Sequence, residues 1–159
     1  GLVPVSCYEQ TVRFFGKING MPSQEIDNRM AEIFHILGMN YFQDVRVDKL
    51  STGMKQKLSI ARAIIHNPPV LIFDEPTVGL DVITARVVVE YIKEFKKQGK
   101  CIIFSTHQMH EAEKLCDTIA IIHLGNLLSI GTLEKLKKEV QPGDLEEIFF
   151  KLIETGNNK

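Results

Sequence analysis

The hydrophobic pattern divides the chain into a first part that is almost entirely helical and a second part in which strands and helices alternate. In the first part, apolar side chains recur at helical spacing, which predicts three helices. They extend over residues 8–19, 23–37 and 51–65. Gly20 and Gly38 terminate the first two helices, and the third must end before Pro68 and Pro69, which cannot continue it.

After the two prolines the period changes to short, continuously apolar runs. Val70–Phe73 and Cys101–Phe104 have the pattern of buried strands, covered on both faces. An amphipathic helix is predicted between them, because Asp81 is an N-cap residue and apolar side chains, Val82 among them, follow at helical spacing. This helix ends near Lys97, whose charge is favourable at a helix C-terminus.

A third strand is predicted at residues 118–123, and Gly125-Asn126 turns it back into residues 127–130 as a hairpin. Further helices are predicted at residues 109–116, 132–140 and 144–155. The order strand, helix, strand, helix, strand is typical of a parallel sheet with right-handed crossovers. The sequence therefore predicts an α/β protein.

Composition narrows the function classes. The chain has 159 residues, of which 44% are hydrophobic and 25% charged, with a net charge of −1. This excludes disordered and collagen-like proteins, and it excludes a general nucleic-acid binder that acts through bulk positive charge. No apolar run approaches the ~18 residues of a membrane span, so we expect a water-soluble chain. Three scattered cysteines without a C-x-x-C pair indicate buried, reduced thiols and a cytoplasmic location.

Candidate chemistry follows the first two strands, because ligands of open parallel sheets bind beyond the carboxyl ends of the strands. Asp74 and Glu75 follow the first strand, and His107 follows the second. Two adjacent buried carboxylates are costly without a cation, and Mg²⁺ prefers one or two carboxylates with waters and phosphate oxygens. Neighbours on an extended chain point to opposite sides, so the two acids can serve different reactants. Taken alone, the pair is more often only the start of a turn.

A second candidate lies at the start of the third helix. Ser51 supplies a hydroxyl and Gly53 permits close approach to the backbone, at a helix N-terminus with free N–H groups. Alone, this is an ordinary serine cap. Its occurrence together with the acidic pair and the histidine favours a phosphate site.

In these segments the chain resembles the nucleotide-binding subunit of ABC transporters. Leu50–Met54 is similar to the signature motif, Val70–Thr77 to Walker B and Gly79–Asp81 to the D-loop. Ser105–His107 is similar to the switch-histidine loop, and Leu145–Phe149 to the end of many such subunits. The motifs stand in the family's order and spacing. Several local stretches most resemble the sodium-extrusion branch of bacterial exporters.

The resemblance implies a role for each residue after the strands. Asp74 would help to hold Mg²⁺ through its water shell. Glu75 would polarise the attacking water as a general base, and His107 would contact the γ-phosphate of ATP.

For the signature and D-loop segments, the resemblance implies contacts between subunits. Ser51, Thr52 and Gly53 would bind ATP that a second ATP-binding subunit holds, so that two chains enclose two nucleotides head to tail. Thr52 stands where the family more commonly has glycine, and Met54 where it has glutamine. Asp81 would join the two sites across the dimer.

The resemblance also implies the architecture: an α/β fold with a partial P-loop NTPase-type parallel sheet and an α-helical subdomain. We expect the helical signature subdomain at residues 1–66, a partial nucleotide-binding core at 67–131 and C-terminal helices at 132–159.

One family element is absent from the sequence. It contains no G-x-x-x-x-G-K-[ST] phosphate loop, and the Gly-Lys pairs at 16–17 and 99–100 lack its other residues. We therefore interpret the chain as the C-terminal two-thirds of an ABC ATPase and expect that by itself it neither binds ATP tightly nor hydrolyses it. A strand that the family places beside the third strand is also missing, so unpaired edges should make the chain self-associate.

The implied function is coupling of ATP hydrolysis to transmembrane export, with sodium ions as a candidate cargo. The implied partners are a transmembrane permease and a second ATP-binding subunit, with no nucleic acid. The implied location is cytoplasmic, peripheral on the inner face of the cell membrane. Two alternatives remain: a soluble ABC-type ATPase, and a non-catalytic interaction module. Capture of a membrane subunit would separate the transporter from both.

Overall fold

The computed structural model describes residues 7–41, 45–140 and 143–156. The described helices are α1 (Tyr8–Ile18), α2 (Ser23–Ile36), α3 (Thr52–Ile64), α4 (Val82–Lys97), α5 (Met109–Leu115), α6 (Leu133–Val140) and α7 (Leu145–Gly156), with a short 3-10 turn at Val47–Lys49. The strands are β1 (Val70–Asp74), β2 (Cys101–Ser105), β3 (Ile119–His123) and β4 (Asn126–Gly131). The chain forms two compact units, residues 1–105 and 106–159. The predicted three-part division stays a prediction.

The first unit begins with three packed helices, α1 to α3, as the sequence predicts. Tyr8 is fully buried, and its hydroxyl donates to the Met39 carbonyl oxygen at 2.7 Å. Gly16 lets α1 approach α2 closely, since a β-carbon there would lie 2.7 Å from Cγ1 of Ile26. Close packing of apolar stripes therefore holds this part together.

Both predicted N-caps of the first unit are confirmed. The Ser51 hydroxyl oxygen accepts a hydrogen bond from the Met54 N–H at 3.2 Å and begins α3. One Asp81 carboxylate oxygen accepts from the Thr84 N–H at 3.0 Å and begins α4. Each side chain satisfies one of the N–H groups that a helix start leaves without a partner.

β1 and β2 pair in parallel, as predicted, with Val70 opposite Cys101 and Asp74 opposite Ser105. However, the prediction that both strands are covered on both faces is wrong. Leu71 is buried, whereas Ile72 is 72% exposed and Ile103 is 58% exposed. An apolar run shows that both faces suit burial, but the described part of the first unit supplies a layer on one face only.

Two further burial predictions are wrong. Val82 is 86% exposed, because it lies two residues before the buried Thr84 and so about 200° around α4 from the buried stripe. Cys101 is exposed at the start of β2, on the open face of the sheet, and Cys7 and Cys116 are only partly buried. All three thiols are free.

In the second unit, β3 and β4 form an antiparallel sheet of their own. The predicted hairpin is confirmed, although its turn residues are Leu124 and Gly125, with φ of 47° and 77°. Positive φ at both positions is the geometry of a two-residue type I′ turn. Parallel pairing is thus seen for β1 with β2, while β3 pairs with β4 in the opposite sense.

Helices α5, α6 and α7 complete the second unit around a small apolar core. Its buried members are Ala112, Ile119, Ile121, Leu136, Leu145 and Ile148. Asp144 caps α7, since its carboxylate accepts from the Glu147 N–H at 2.9 Å. The Glu113 carboxylate accepts from the Leu145 N–H at 2.8 Å, which joins α5 to the start of α7. Among the helices described, none has the length and apolar character needed to cross a membrane.

Candidate functional site

The two predicted carboxylates lie where β1 ends. Asp74 is its last residue, and its side chain is exposed. The hydroxyl of Ser105, the residue opposite on β2, donates to the Asp74 carboxylate. The Glu75 N–H donates to the carbonyl oxygen of Ser105 at 3.2 Å and to its hydroxyl oxygen at 3.1 Å. Ser105 therefore fixes the position of both acidic residues.

Glu75 does not continue the extended chain. Its φ is 48°, in the left-handed region, so the expectation that the two acids alternate as on a strand is wrong. This conformation costs about 1–3 kcal/mol for a residue with a side chain and persists only where the surroundings enforce it. The Glu75 carbonyl oxygen accepts from the Val78 N–H at 3.2 Å and from the Gln56 side-chain amide at 3.1 Å.

The start of α3 packs against the turn between β1 and α4. A β-carbon on Gly53 would lie 2.8 Å from the Gly79 carbonyl oxygen, so the backbone would have to shift to accept a side chain there. Gly79 itself has φ of 75°, and a β-carbon there would lie 3.0 Å from Cγ2 of Thr52. The two glycines thus bring the segment similar to the signature motif into contact with the segment similar to the D-loop.

The donors at the start of α3 suit an anion. Ser51 is exposed, and the N–H groups of Thr52 and Gly53 belong to the first helical turn, where no helix carbonyl is available. That turn holds no acidic residue. This donor set therefore fits a phosphate group, as does the helix dipole.

Asp81 is held as a carboxylate by its neighbour. Hydrogen bonds from the Thr84 hydroxyl, at 2.6 Å, and from the Thr84 N–H lower the pKa of Asp81, and the charge of Lys57 lowers it further. The structure thus shows Asp81 as the cap of α4, two residues after Gly79.

His107 is the second residue of the second unit, and it is exposed. Its loop is fixed by Thr106, whose hydroxyl accepts from the Gln108 N–H at 3.0 Å and donates to the buried carboxylate of Glu111 at 3.1 Å. His107 also lines a groove of about 400 Å³ within this unit. Other residues of the groove are His110, Glu113, Asp144, Glu146 and Phe149.

The first unit therefore gathers most of the predicted site residues: Ser51, Thr52, Gly53, Asp74, Glu75 and Asp81. Sequence reasoning missed Gln56, and it gave Ser105 no role of its own. The sequence shows only an amide side chain on a predicted helix and a serine at the end of a predicted strand. Which residues these two side chains contact depends on how the strands pair and how α3 packs.

The carboxylate of Asp74 suits Mg²⁺, which takes one or two carboxylates and completes its shell with water and phosphate oxygens. Within the described ranges, no group of three or more histidine, cysteine or acidic side chains is placed to hold a metal ion. An ion at Asp74 would therefore depend on oxygens from the nucleotide and from solvent.

The sequence is similar to those of known ABC transporter proteins. The family model described as ABC transporter matches residues 3–78. The ABC transporter ATP-binding protein NatA of Bacillus subtilis is 36% identical over 156 residues, 98% of this chain and 63% of that protein. The Nod factor export ATP-binding protein I of Cupriavidus metallidurans is 34% identical over 88% of this chain and 46% of that protein.

A solved structure is similar in fold. The structure of an ATP binding subunit of an ABC transporter matches with a TM-score of 0.88 at 28% identity, over 96% of this chain and 65% of that one. The chain therefore has the α/β fold of such a subunit, and its sequence is similar to those of ATP-binding proteins of ABC transporters, as the motifs predicted. It spans 63% of NatA and less than half of the Nod factor export protein.

Proposed function

We propose that this chain forms part of the ATP-hydrolysing subunit of an ABC transporter that exports its cargo across a membrane. The supporting observation is that one compact unit joins the start of α3, the turn at Gly79 and the backbone of Glu75 through direct contacts, and that Ser105 bonds to both Glu75 and the Asp74 carboxylate. The similarity to a protein named for Nod factor export supports an export role. Sodium ions are the candidate cargo that the local sequence resemblance implies.

Each of the residues that follow β1 and β2 has a separate task in this proposal. Asp74 would hold Mg²⁺ through its water shell, and the ion would supply positive charge against the phosphate oxygens. The carboxylate of Glu75 accepts a proton from the attacking water. His107 donates a hydrogen bond to the γ-phosphate.

The start of α3 serves a second subunit. Ser51 and the N–H groups of Thr52 and Gly53 donate hydrogen bonds to the γ-phosphate of ATP held by that subunit. Asp81, two residues after the Gly79 that contacts Gly53, meets the opposite site. A transmembrane permease completes the assembly, which places the chain in the cytoplasm against the inner face of the membrane.

Hydrolysis also needs a phosphate loop. The sequence contains no G-x-x-x-x-G-K-[ST] segment, so we expect turnover from an assembly that supplies one and none from this chain alone. The test measures Mg²⁺-dependent ATP hydrolysis by the chain alone and after mixing with a polypeptide that carries the loop. In the mixture, Glu75→Gln should lower the rate by about 10²–10⁴-fold, the usual contribution of a general base.

Glu94→Gln is the matched control, because Glu94 is exposed on α4 and pairs only loosely with Lys97, at 3.6 Å. It should leave the rate unchanged. Full activity of Glu75→Gln would contradict the hydrolytic role. Failure of the chain to capture any membrane subunit, with hydrolysis intact, would instead favour the soluble ABC-type ATPase.

A further inference from the structure

We propose that Gln56 is a positioning residue, which holds the backbone of Glu75 in its left-handed conformation and thereby links the start of α3 to the hydrolytic carboxylate. The inference rests on the proposed function, because it assigns Glu75 the role of base. Gln56 makes no contact with the reacting atoms in this proposal. It acts only through the Glu75 carbonyl oxygen.

The first argument is that the peptide groups on both sides of Glu75 are fixed. On one side the Glu75 N–H is shared between the carbonyl and hydroxyl oxygens of Ser105. On the other side the Glu75 carbonyl oxygen takes one hydrogen bond from Val78 and one from Gln56. A residue with φ of 48° keeps this conformation only where its surroundings over-determine it, so each of these bonds contributes.

The second argument is the origin of these bonds. Ser105 belongs to the neighbouring strand, and Val78 belongs to the same turn as Glu75. Gln56 is the one of these partners that lies on α3, in the second turn after the Ser51 cap. The helix is stiff over the short distance between Gly53 and Gln56. A displacement of Ser51 and Gly53 therefore displaces Gln56 as well and, through its hydrogen bond, the backbone of Glu75.

The experiment compares two variants of Gln56. Gln56→Met keeps the length of the side chain but removes the donor, whereas Gln56→Lys keeps a donor of similar reach. We expect the Glu75 amide hydrogen to exchange with solvent about two- to tenfold faster in Gln56→Met, since one of the hydrogen bonds that hold the Glu75 backbone is lost. Gln56→Lys should restore the slow exchange. Gln10→Met, at an exposed position on α1, is the control and should leave Glu75 unchanged.

Exchange is measured on the whole chain without nucleotide, and core amides of β1 report whether the fold is kept. Wild-type exchange at Glu75 in Gln56→Met, with the same three-bond N–H to Hα coupling, would overturn the positioning role. In the assembly that hydrolyses ATP, Gln56→Met should lower kcat with an unchanged KM for ATP, and Gln56→Lys should restore it. Full turnover in Glu75→Gln would refute the proposed function instead, and the exchange result would still decide the role of Gln56.

Discussion

Gly53 lies so close to Gly79 that a single added β-carbon would stand 2.8 Å from the Gly79 carbonyl oxygen. The contact joins the first turn of α3 to the turn after β1, segments that are 26 positions apart in the sequence. Glycine at position 53 is therefore required by packing within this unit, in addition to the phosphate binding proposed for its N–H group.

The Gly53→Ala variant tests this contact through the sign of its effect. Helix propensity alone would raise the free energy of unfolding, by up to about 1 kcal/mol. We expect the clash with the Gly79 carbonyl to lower it, by about 1–3 kcal/mol, as overpacking does. Urea denaturation of both proteins measures the difference. Lys55→Ala, at an exposed position of the same helix, controls for propensity. A stabilised Gly53→Ala protein would show that the two segments are free to separate.

Ser105 is expected to matter for stability as well as for the site. Ser105→Ala removes the hydrogen bond to the Asp74 carboxylate and one of the two acceptors of the Glu75 N–H. The expected loss is about 1 kcal/mol of unfolding free energy, together with faster exchange of the Glu75 amide. Ser105→Thr keeps the hydroxyl and should recover both properties. Equal protection of Glu75 in the alanine and wild-type proteins would argue that the carbonyl of residue 105 suffices.

The cap of α4 predicts a dependence of stability on acid. Because hydrogen bonds from Thr84 lower the pKa of Asp81 in the folded chain, its ionised form stabilises the fold. The contribution is fully present above the pKa of an unfolded aspartate and is lost as the pH falls through the lower, folded value. As the pH is lowered from neutral, the denaturation midpoint should therefore fall less steeply in Asp81→Asn than in the wild type, because asparagine caps the helix without titrating.

Thr84→Val provides the check on the cause of that shift. It removes the hydroxyl donor at 2.6 Å but leaves the Thr84 N–H bond in place. NMR titration of the Asp81 carboxyl should then show its pKa moving up towards the ordinary range. An unchanged pKa in Thr84→Val would mean that the backbone bond and the charge of Lys57 account for the shift.

The open face of the β1–β2 sheet supports the prediction that the chain self-associates. Ile72 and Ile103, which are opposite each other, are 72% and 58% exposed. A contiguous apolar surface of this kind favours association. Light scattering at rising concentration should give a mass above that of one chain, and Ile72→Asp should reduce it. Asn28→Asp adds the same charge at an exposed position of α2 and should leave the mass unchanged. A single-chain mass for the wild type at every concentration would refute the prediction.

Local signals predicted most of the elements. Ser51 and Asp81 cap the helices that they were expected to cap, and the apolar runs at residues 70 and 101 became paired parallel strands. The residues of the candidate site could also be identified in the sequence. Serine and glycine at a helix start suit an anion, and carboxylates at a strand end suit a metal ion. What they do in this chain stays a proposal.

Other features were beyond the reach of the sequence. The exposure of Ile72 depends on which layers pack against the sheet, and a continuous apolar run gives the same pattern whether one face or both are covered. The left-handed backbone of Glu75 is likewise not a property of glutamate, which rarely adopts it.

By itself, then, the sequence determined where helices and strands begin, which side chains have the chemistry of a phosphate and Mg²⁺ site, and which family they resemble. Only the tertiary structure decided that Gln56 contacts Glu75, that Ser105 contacts both acids, and that Gly53 touches Gly79. The physical reason is the separation along the chain over which each interaction acts. Capping and periodicity act within a few residues, whereas these contacts join segments that meet only after the strands have paired and α3 has packed.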